Sequence, residues 1–365
     1  MLDCGIIKLV SVGDICNVSR GASPRPIKKY LTQSGEGVPW IKIGDVSPFN
    51  KYIKKTNERI TQEGAKKSRF LHKGDLILSN SMSFGRPYIL EIDGCIHDGW
   101  ISLSGFENYV LRDFLYEVLN TKCVQDYWAM KANNGGAMSN LNSDIVKSTI
   151  IKIPSLNVQK EIVKILDSFT NLIDALNEEL SLRQKQFEYY REKLLNSNEC
   201  SKTEKLQYFA KIMNGKDYKH LGKGQIQLMG SGGIMGYVDS YLYNKKSVLL
   251  PRKGSIDKVY YIEEPFWTVD TLYWTKIDEK KIIPKFLYYI LSSIHIENYA
   301  LKGGIPSMTQ SILYNIDVPY IDKDLQQSIV EKLDAFESLI ASLKEEIALR
   351  QKQYEYYREK LLTFD

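Results

Sequence analysis

The sequence predicts an α+β protein in which two globular α/β domains are joined by two long helices that pair as an antiparallel coiled coil, giving an internal pseudo-two-fold. Three observations carry this. A long amphipathic segment occurs twice at a constant offset, from Gln159 to Leu195 and from Gln326 to Leu362, with RQKQFEYYREKLL at 183–195 answering RQKQYEYYREKLL at 350–362. Each copy trails a stretch with one plan: short β-like runs, a helix, a Gly-Gly loop and a last strand ending near proline. The chain of 365 residues has room for two domains that each bury a core. The boundaries expected are a first domain at 1–154, a first spacer helix at 155–199, a second domain at 200–320 and a second spacer helix at 321–365.

In the first domain VPWIKIGDV (38–46), GDLILSNS (74–81) and STIIKIP (148–154) read as strands bounded by Gly, Asn, Ser and Pro. One helix is expected over 112–131, where Phe114, Leu115, Val118 and Leu119 form an apolar stripe. The loop NNGGAMSNL follows. In the second domain SVLLPRK (247–253), KVYYIEE (258–264) and FWTVDTLYWTKI (266–277) read as strands, and a helix starts at Pro284, a residue suited to a first helical turn. Phe114-Leu115-Tyr116 answers Phe286-Leu287-Tyr288, and Gly135-Gly136 answers Gly303-Gly304. Only the fronts of the two units, 20–105 and 215–280, share no alignable similarity. A common scaffold with two different heads is the expectation.

The trailing helices carry heptads. Leu166, Ile173, Leu180, Phe187 and Leu194 recur every seven residues, with Phe169, Leu176 and Tyr190 three positions later. The second copy repeats the seam with Leu333, Ile340, Ile347, Tyr354 and Leu361, joined by Phe336, Leu343 and Tyr357. Such a stripe would be exposed on either helix alone, so the two bury it against one another. Arg183 and Arg350 interrupt both seams at the same place. Two readings stand: a register device, with Glu179 and Glu346 four residues earlier as partners, or arginines that snorkel to the seam edge. A helix of roughly 38 residues spans about 57 Å, enough to hold two surfaces more than one turn apart along duplex DNA.

Composition narrows the class. A net charge of +5 with 25% charged and 43% hydrophobic residues is that of a globular protein only mildly disposed to nucleic acid. The 24 tyrosines suit a recognition surface and suit an AT-rich genome equally well. No run is long and apolar enough for a membrane span, and the N-terminus MLDCGIIKLVS lacks the pattern of a secretory signal. Five scattered cysteines without a C-x-x-C pair point to a reducing cytoplasm and no zinc site. No P-loop, H-E-x-x-H or nucleophile elbow occurs. GSGGIMG (230–236) departs from G-x-G-x-x-G at Met235 and reads as a turn or a DNA-facing loop; Asp278-x-Lys280 sits in a charged run without an acidic partner; the four histidines are isolated.

Over nearly its whole length the chain resembles the DNA-specificity subunit of type I restriction-modification systems. The residues that carry this are IVKILDSFTNLI and its copy IVEKLDAFESLI, Pro154 followed by Gln159 at the start of the helix (longer in the second copy, Pro319 to Gln326), VPWIKIGDV, KGDLILSNSMSFGRP, and GSGGIMGYVDSYLYNKKSVLLPRKGSIDKV. The resemblance implies two target-recognition domains that read a bipartite double-stranded DNA site across an unspecified spacer measured by the helices. It implies methyltransferase subunits docked on the helical region, dependent on S-adenosylmethionine, with ATP-dependent restriction subunits able to join. No cofactor is expected on this chain itself, and no catalytic residue. A short N-terminus is the one departure. The competing readings are a nuclease or DNA-modifying enzyme with a divergent site, and a coiled-coil adaptor that binds protein only.

Phosphate contacts need Lys or Arg, and base edges need Arg, Asn, Gln, Ser or Thr on loops that enter a groove. The residues expected at DNA are Arg20, Arg25, Lys42, Asn80, Ser81, Ser83 and Arg86 in the first domain, and Ser231, Arg252, Lys253 and Ser255 in the second. The Gly135-Gly136 and Gly303-Gly304 loops either approach the DNA backbone or simply turn the chain.

Overall fold

A computed structural model describes residues 7–33, 35–46, 51–80, 84–133, 140–196, 200, 202–299 and 307–364. The chain forms two compact units, one of Met1–Ala175 with Ile347–Asp365, the other of Leu176–Glu346.

The main sheet of the first unit has the strand order Asn17–Arg20, Trp100–Ser104, Leu76–Ser79, Pro87–Leu90, Tyr52–Ile53. LILS at its centre is buried on every residue because both faces are covered. Leu76 and Leu78 point to the helical side, where they meet Phe114, Leu115 and Leu119. Ile77 points the other way, to Ile41, Tyr88 and Trp100. Side chains of period two thus feed two cores. A second sheet, Leu31–Thr32, Glu58–Ile60, Val38–Ile41, Gly94–Ile96, Arg69–Leu71, supplies the far layer.

The main sheet of the second unit has the order Ala210–Asn214, Leu272–Ile277, Ser247–Pro251, Tyr260–Ile262. Val248 and Leu250 pack on Phe286 and Leu287, while Leu249 packs on Phe266 and Trp274. Among the described residues the far sheet has the strands Gly233–Val238, Lys223–Gly230 and Phe266–Thr268. In both far sheets the strand just before the last main-sheet strand pairs parallel, Gly94–Ile96 with Val38–Ile41 and Phe266–Thr268 with Lys223–Gly230. The scaffold therefore recurs inside the stretches whose sequences do not align.

Several expectations need correction. The helix expected over 112–131 is two helices, Arg112–Leu119 and Lys122–Asn133. At the break the side chains of Asn120 and Thr121 bond to the carbonyls of Tyr116 (3.0 Å) and Val118 (2.7 Å), competing for backbone acceptors. FWTVDTLYWTKI is two strands in different sheets, parted at Asp270. VPWIKIGDV leaves the sheet after Ile41 and turns through a 3-10 helix, Ile43–Asp45. GSGGIMG, by contrast, is the turn expected of it, a tight hairpin with Gly233 at φ +116.

The long helices run Leu156–Leu195 and Lys323–Leu362, 40 residues each. In the first unit the early turns of the first meet the late turns of the second: Phe169 stacks on Tyr357 at 5.3 Å, and Leu166 shares a core with Leu361. In the second unit the late turns of the first meet the early turns of the second: Tyr190 stacks on Phe336 at 5.4 Å, and Leu194 shares a core with Leu333. The pairing is antiparallel. Leu166, Ile173, Leu333 and Ile347 are buried, while Leu180, Phe187, Leu194, Ile340, Tyr354 and Leu361 are half-buried. Arg183 is half-exposed and held along its own helix by Glu179 (3.3 Å) and Gln186 (3.0 Å); Arg350 bonds Gln353 at 2.9 Å.

A buried glutamine ties each domain to its helix. Gln159 Oε1 accepts the N–H of Leu111 at 2.8 Å, and its Nε2 donates to Pro154 O at 3.0 Å. Gln326 accepts the N–H of Ile283 at 2.7 Å and donates to Ile321 O at 3.0 Å. Leu111 and Ile283 are the N-caps of Arg112–Leu119 and Pro284–Ser293 and have no side-chain cap of their own. The glutamine supplies the acceptor that the N-terminus of that helix lacks.

Candidate nucleic-acid interface

In the first unit the turn at residues 97–99 links the far sheet to the main sheet. Gly21, next after the strand Asn17–Arg20, lies so close to it that a Cβ would stand 2.1 Å from His97 O. Only glycine permits this approach. The N–H of Gly21 then reaches Trp100 O (2.8 Å) and that of Ala22 reaches Ile96 O (3.2 Å). Arg20 Nε and Asn80 Nδ2 both donate to Asp98 O at 3.0 Å. The Asp98 carboxylate accepts from Ser23 Oγ at 2.8 Å, faces His97 Nε2 at 3.0 Å, and lies 3.7 Å from Arg25 Nη2. Burial pushes its carboxyl up, but the Ser23 hydroxyl and the neighbouring His97 and Arg20 outweigh this and hold it below the usual aspartate range.

The second unit repeats this frame with other residues. A Cβ on Gly215 would stand 2.0 Å from Val269 O. Gly215 N–H reaches Leu272 O (3.2 Å) and Lys216 N–H reaches Thr268 O (2.8 Å). After the strand Ser247–Pro251, Arg252 stands where Asn80 stands in the first unit. Asn80 N–H donates to Gly99 O and Arg252 N–H to Thr271 O, both at 3.0 Å. Asn80 O accepts from Leu141 N–H (3.0 Å), and Arg252 O from Met308 N–H (2.8 Å). Arg252 Nη1 donates to Asp270 O at 3.2 Å, as Asn80 does to Asp98 O, and its guanidinium lies 5.8 Å from the Tyr273 ring centre. Lys253 Nζ sits 2.7 Å from the Asp270 carboxylate. The bond from Lys253 outweighs burial and holds the Asp270 carboxyl below its usual range.

The structure thus gathers Arg20, Arg25 and Asn80 around Asp98, and Arg252 and Lys253 around Asp270. Ser231 joins the second group through its N–H to Thr271 Oγ1 (3.1 Å), and its Oγ would be 2.9 Å from a Cβ on Gly254, the neighbour of half-buried Ser255. Asn80 is buried and its amide serves the turn, whereas Arg20 and Arg25 are exposed. Arg86 is half-buried, with its carbonyl on Ser79 N–H. Lys42 stands apart, its Nζ 2.6 Å from Glu58, though its neighbour Ile41 accepts His97 N–H. Ser81, Ser83, Gly135, Gly136, Gly303 and Gly304 lie outside the described residues.

Sequence reasoning missed Asp98 and Asp270, the hubs of the two groups. A signal exists: DGWISLS and DTLYWTK each place an aspartate two residues before the last strand of the main sheet. Among the described residues no group of His, Cys, Asp and Glu could hold a metal ion, and no helix is long and apolar enough to cross a membrane.

A sequence profile described as the type I restriction modification DNA specificity domain matches residues 7–182 and 187–349. The chain belongs to this specificity family. It is 34% identical to a putative type I restriction enzyme specificity subunit of Haemophilus influenzae, covering 100% of this chain and 97% of that one. It is 23% identical to the EcoprrI specificity subunit of Escherichia coli, over 94% of this chain and 91% of the relative. The crystal structure of a type I restriction-modification S subunit from M. genitalium shares the fold, with TM-score 0.61 at 16% identity over 99% of this chain and 97% of that one. A chain from a structural study of assembly and conformational transition in a type I system gives TM-score 0.63 at 14% identity, over 98% and 97%.

Proposed function

We propose that this chain is the non-catalytic, DNA-reading subunit of a type I restriction-modification complex in the cytoplasm. Each domain reads one half of a bipartite duplex site, and the long helices set the gap between the halves. S-adenosylmethionine-dependent methyltransferase subunits seat on the helices, and ATP-dependent restriction subunits join them. The observation that carries the reading is the frame around Asp98 and Asp270. One set of backbone hydrogen bonds presents Arg20 and Arg25 in one domain and Arg252 and Lys253 in the other. Ser231, in the hairpin turn after Gly230, Ser255, three residues after Arg252, and Arg86 supply further donors, and Ser81 and Ser83 are offered as donors from their place in the sequence. Asn80 braces its turn, and the Gly135-Gly136 and Gly303-Gly304 segments, which precede Leu141 and Met308 in sequence, are offered as further backbone contacts to DNA.

The outer faces of the helices support a duplicated partner. Leu182 and Tyr189 are each 58% exposed, and their counterparts Leu349 and Tyr356 are 54% and 60% exposed. Leu172 and Leu339 complete the sets. Equal apolar groups left at equivalent positions suit two copies of one subunit. Methylation-site mapping of DNA exposed to the chain with its methyltransferase partner tests the reading. A bipartite motif with a fixed gap is expected. A continuous motif, or methylation or cleavage by the chain alone, would overturn it.

A further inference from the structure

Each domain rests on the long helices through its short helix, Arg112–Leu119 or Pro284–Ser293. By the Phe-Leu-Tyr match, Asp113 corresponds to Lys285 and Glu117 to Tyr289. On the long helices Tyr354 corresponds to Phe187, Asp167 to Asp334 and Thr170 to Glu337.

In the first unit Glu117 is 1% exposed, and its Oε2 accepts from Tyr354 Oη at 2.6 Å. Its Oε1 makes no hydrogen bond and faces Lys51 Nζ at 3.9 Å. The same Nζ contacts Asp113 at 2.8 Å and Asp167 at 3.3 Å. Burial, only partly offset by the Tyr354 bond and Lys51, raises the Glu117 carboxyl above its usual range. In the second unit Tyr289, fully buried, donates toward Asp334 Oδ1 at 2.6 Å and Glu337 Oε2 at 2.8 Å. Lys285 Nζ lies 2.8 Å from Asp334, and Phe187 packs edge-on to Tyr289.

The two seats have one shape and opposite polarity. The aspartate of the helix, Asp167 or Asp334, is common to both; around it, in the first seat, the domain brings the buried carboxylate Glu117 and the helix brings the Tyr354 hydroxyl. In the second, the domain brings the hydroxyl and the helix brings the carboxylates. We propose that these are keyed seats: each helical seat accepts only its own recognition domain, and a domain of the other half, from this chain or a second copy, is rejected by chemistry. The first domain on the second seat would keep the contact of Lys51 with an aspartate, Asp334 in place of Asp167, but would lose the Tyr354 hydroxyl to Phe187 and set buried Glu117 beside Glu337. The second domain on the first seat would keep Asp167 in place of Asp334, but would lose the Glu337 acceptor to Thr170 and set Tyr289 against Tyr354. A buried carboxylate deprived of its donor and placed beside a like charge is strongly unfavourable.

Thermal unfolding of the full-length chain tests this. Converting the first domain's key alone, Asp113→Lys with Glu117→Tyr, lowers the melting temperature, by about 5 °C for one lost charged hydrogen bond in a domain of this size. Adding Thr170→Glu and Tyr354→Phe, which converts the seat to match, restores at least half of the loss. Tolerance of the first pair alone, or four substitutions no better than two, overturns the proposal. Single substitutions give a second measurement. Tyr354→Phe lowers the melting temperature by about 5 °C, and Phe187→Tyr does so by clearly less. Equal effects of these two overturn the keyed reading as well.

Discussion

Arg252 and Lys253 are neighbours in the chain with different surroundings, and, on the function proposed, replacing each with alanine separates base reading from phosphate binding. Arg252 is half-buried, its guanidinium oriented by Asp270 O (3.2 Å) and the Tyr273 ring (5.8 Å). One hydrogen bond to a carbonyl leaves most of its five donors for a base edge. A bidentate arginine pair with guanine contributes about 1–3 kcal/mol of discrimination, so Arg252→Ala weakens binding to the cognate site by roughly 5- to 150-fold and relaxes one position of the second half-site. Lys253 is exposed, paired with Asp270 at 2.7 Å, and suits a single phosphate. Lys253→Ala weakens all duplexes alike and reduces the slope of log affinity against log salt by about 0.9. Neither change unfolds the protein, since the hydrogen bond and the surface ion pair that these side chains make are together worth about 1 kcal/mol against a typical stability of about 5–15 kcal/mol. The assay is fluorescence anisotropy of the chain with its methyltransferase partner on labelled duplexes, cognate and singly mismatched, across a salt series. If Arg252→Ala lowers affinity for matched and mismatched duplexes by one common factor, the reasoning fails.

Asp98→Asn and Asp270→Asn, measured in the same assay, raise affinity for non-specific DNA by removing a negative charge and releasing Arg25 and Lys253; unchanged non-specific binding in both refutes the role of the carboxylates as holders. Both carboxyls lie below their usual range, so their contribution is complete above the unfolded aspartate value of about 3.9 and is lost as pH falls through the lower folded value. NMR titration of the two carboxyl carbons between pH 5 and 8 should therefore show no change. Gln326→Ala, at a position fully buried with bonds to Ile283, Lys281 and Ile321, costs about 3 kcal/mol in urea unfolding, and a loss below about 1 kcal/mol contradicts the clamp. Deleting one heptad from each long helix, residues 174–180 and 341–347, removes about 10.5 Å of helix. If helix length sets the gap, the mapped motif shortens by about three base pairs at ~3.4 Å each; an unchanged gap refutes the ruler.

Much of the frame was legible because helices announce themselves by period. The seam from Leu166 to Leu194 and its copy are half or fully buried, and Phe169 and Tyr190 stack on the partners that the antiparallel pairing requires. The common sheet was not legible, because a strand position asks only for an apolar side chain that fits. LILS and VLLP meet the same demand with a single identity, Leu78 and Leu250. The hubs Asp98 and Asp270 were hidden for another reason. An aspartate in a turn is ordinary, and only the close approach of Gly21 and Gly215 shows that these turns are the same. The fold also gives Asn80 a task that its sequence setting does not announce: its amide donates to Asp98 O. The break at Asn120–Thr121 depends on side chains taking carbonyls, which an apolar stripe does not register.

The first compact unit is assembled from both ends of the chain, Met1–Ala175 and Ile347–Asp365. Tyr354, which satisfies the buried Glu117, and Glu359, which accepts the N–H of Lys122 at 3.0 Å, each stand 237 residues along the chain from the group they bond. The corresponding contacts of the second unit are far more local: Tyr289 meets Asp334 and Glu337 across 45 and 48 residues. Closing the longer loop costs more chain entropy before any contact rewards it. The two seats, alike in place, therefore differ in contact order, and the seat of the first unit is the slower of the two to form.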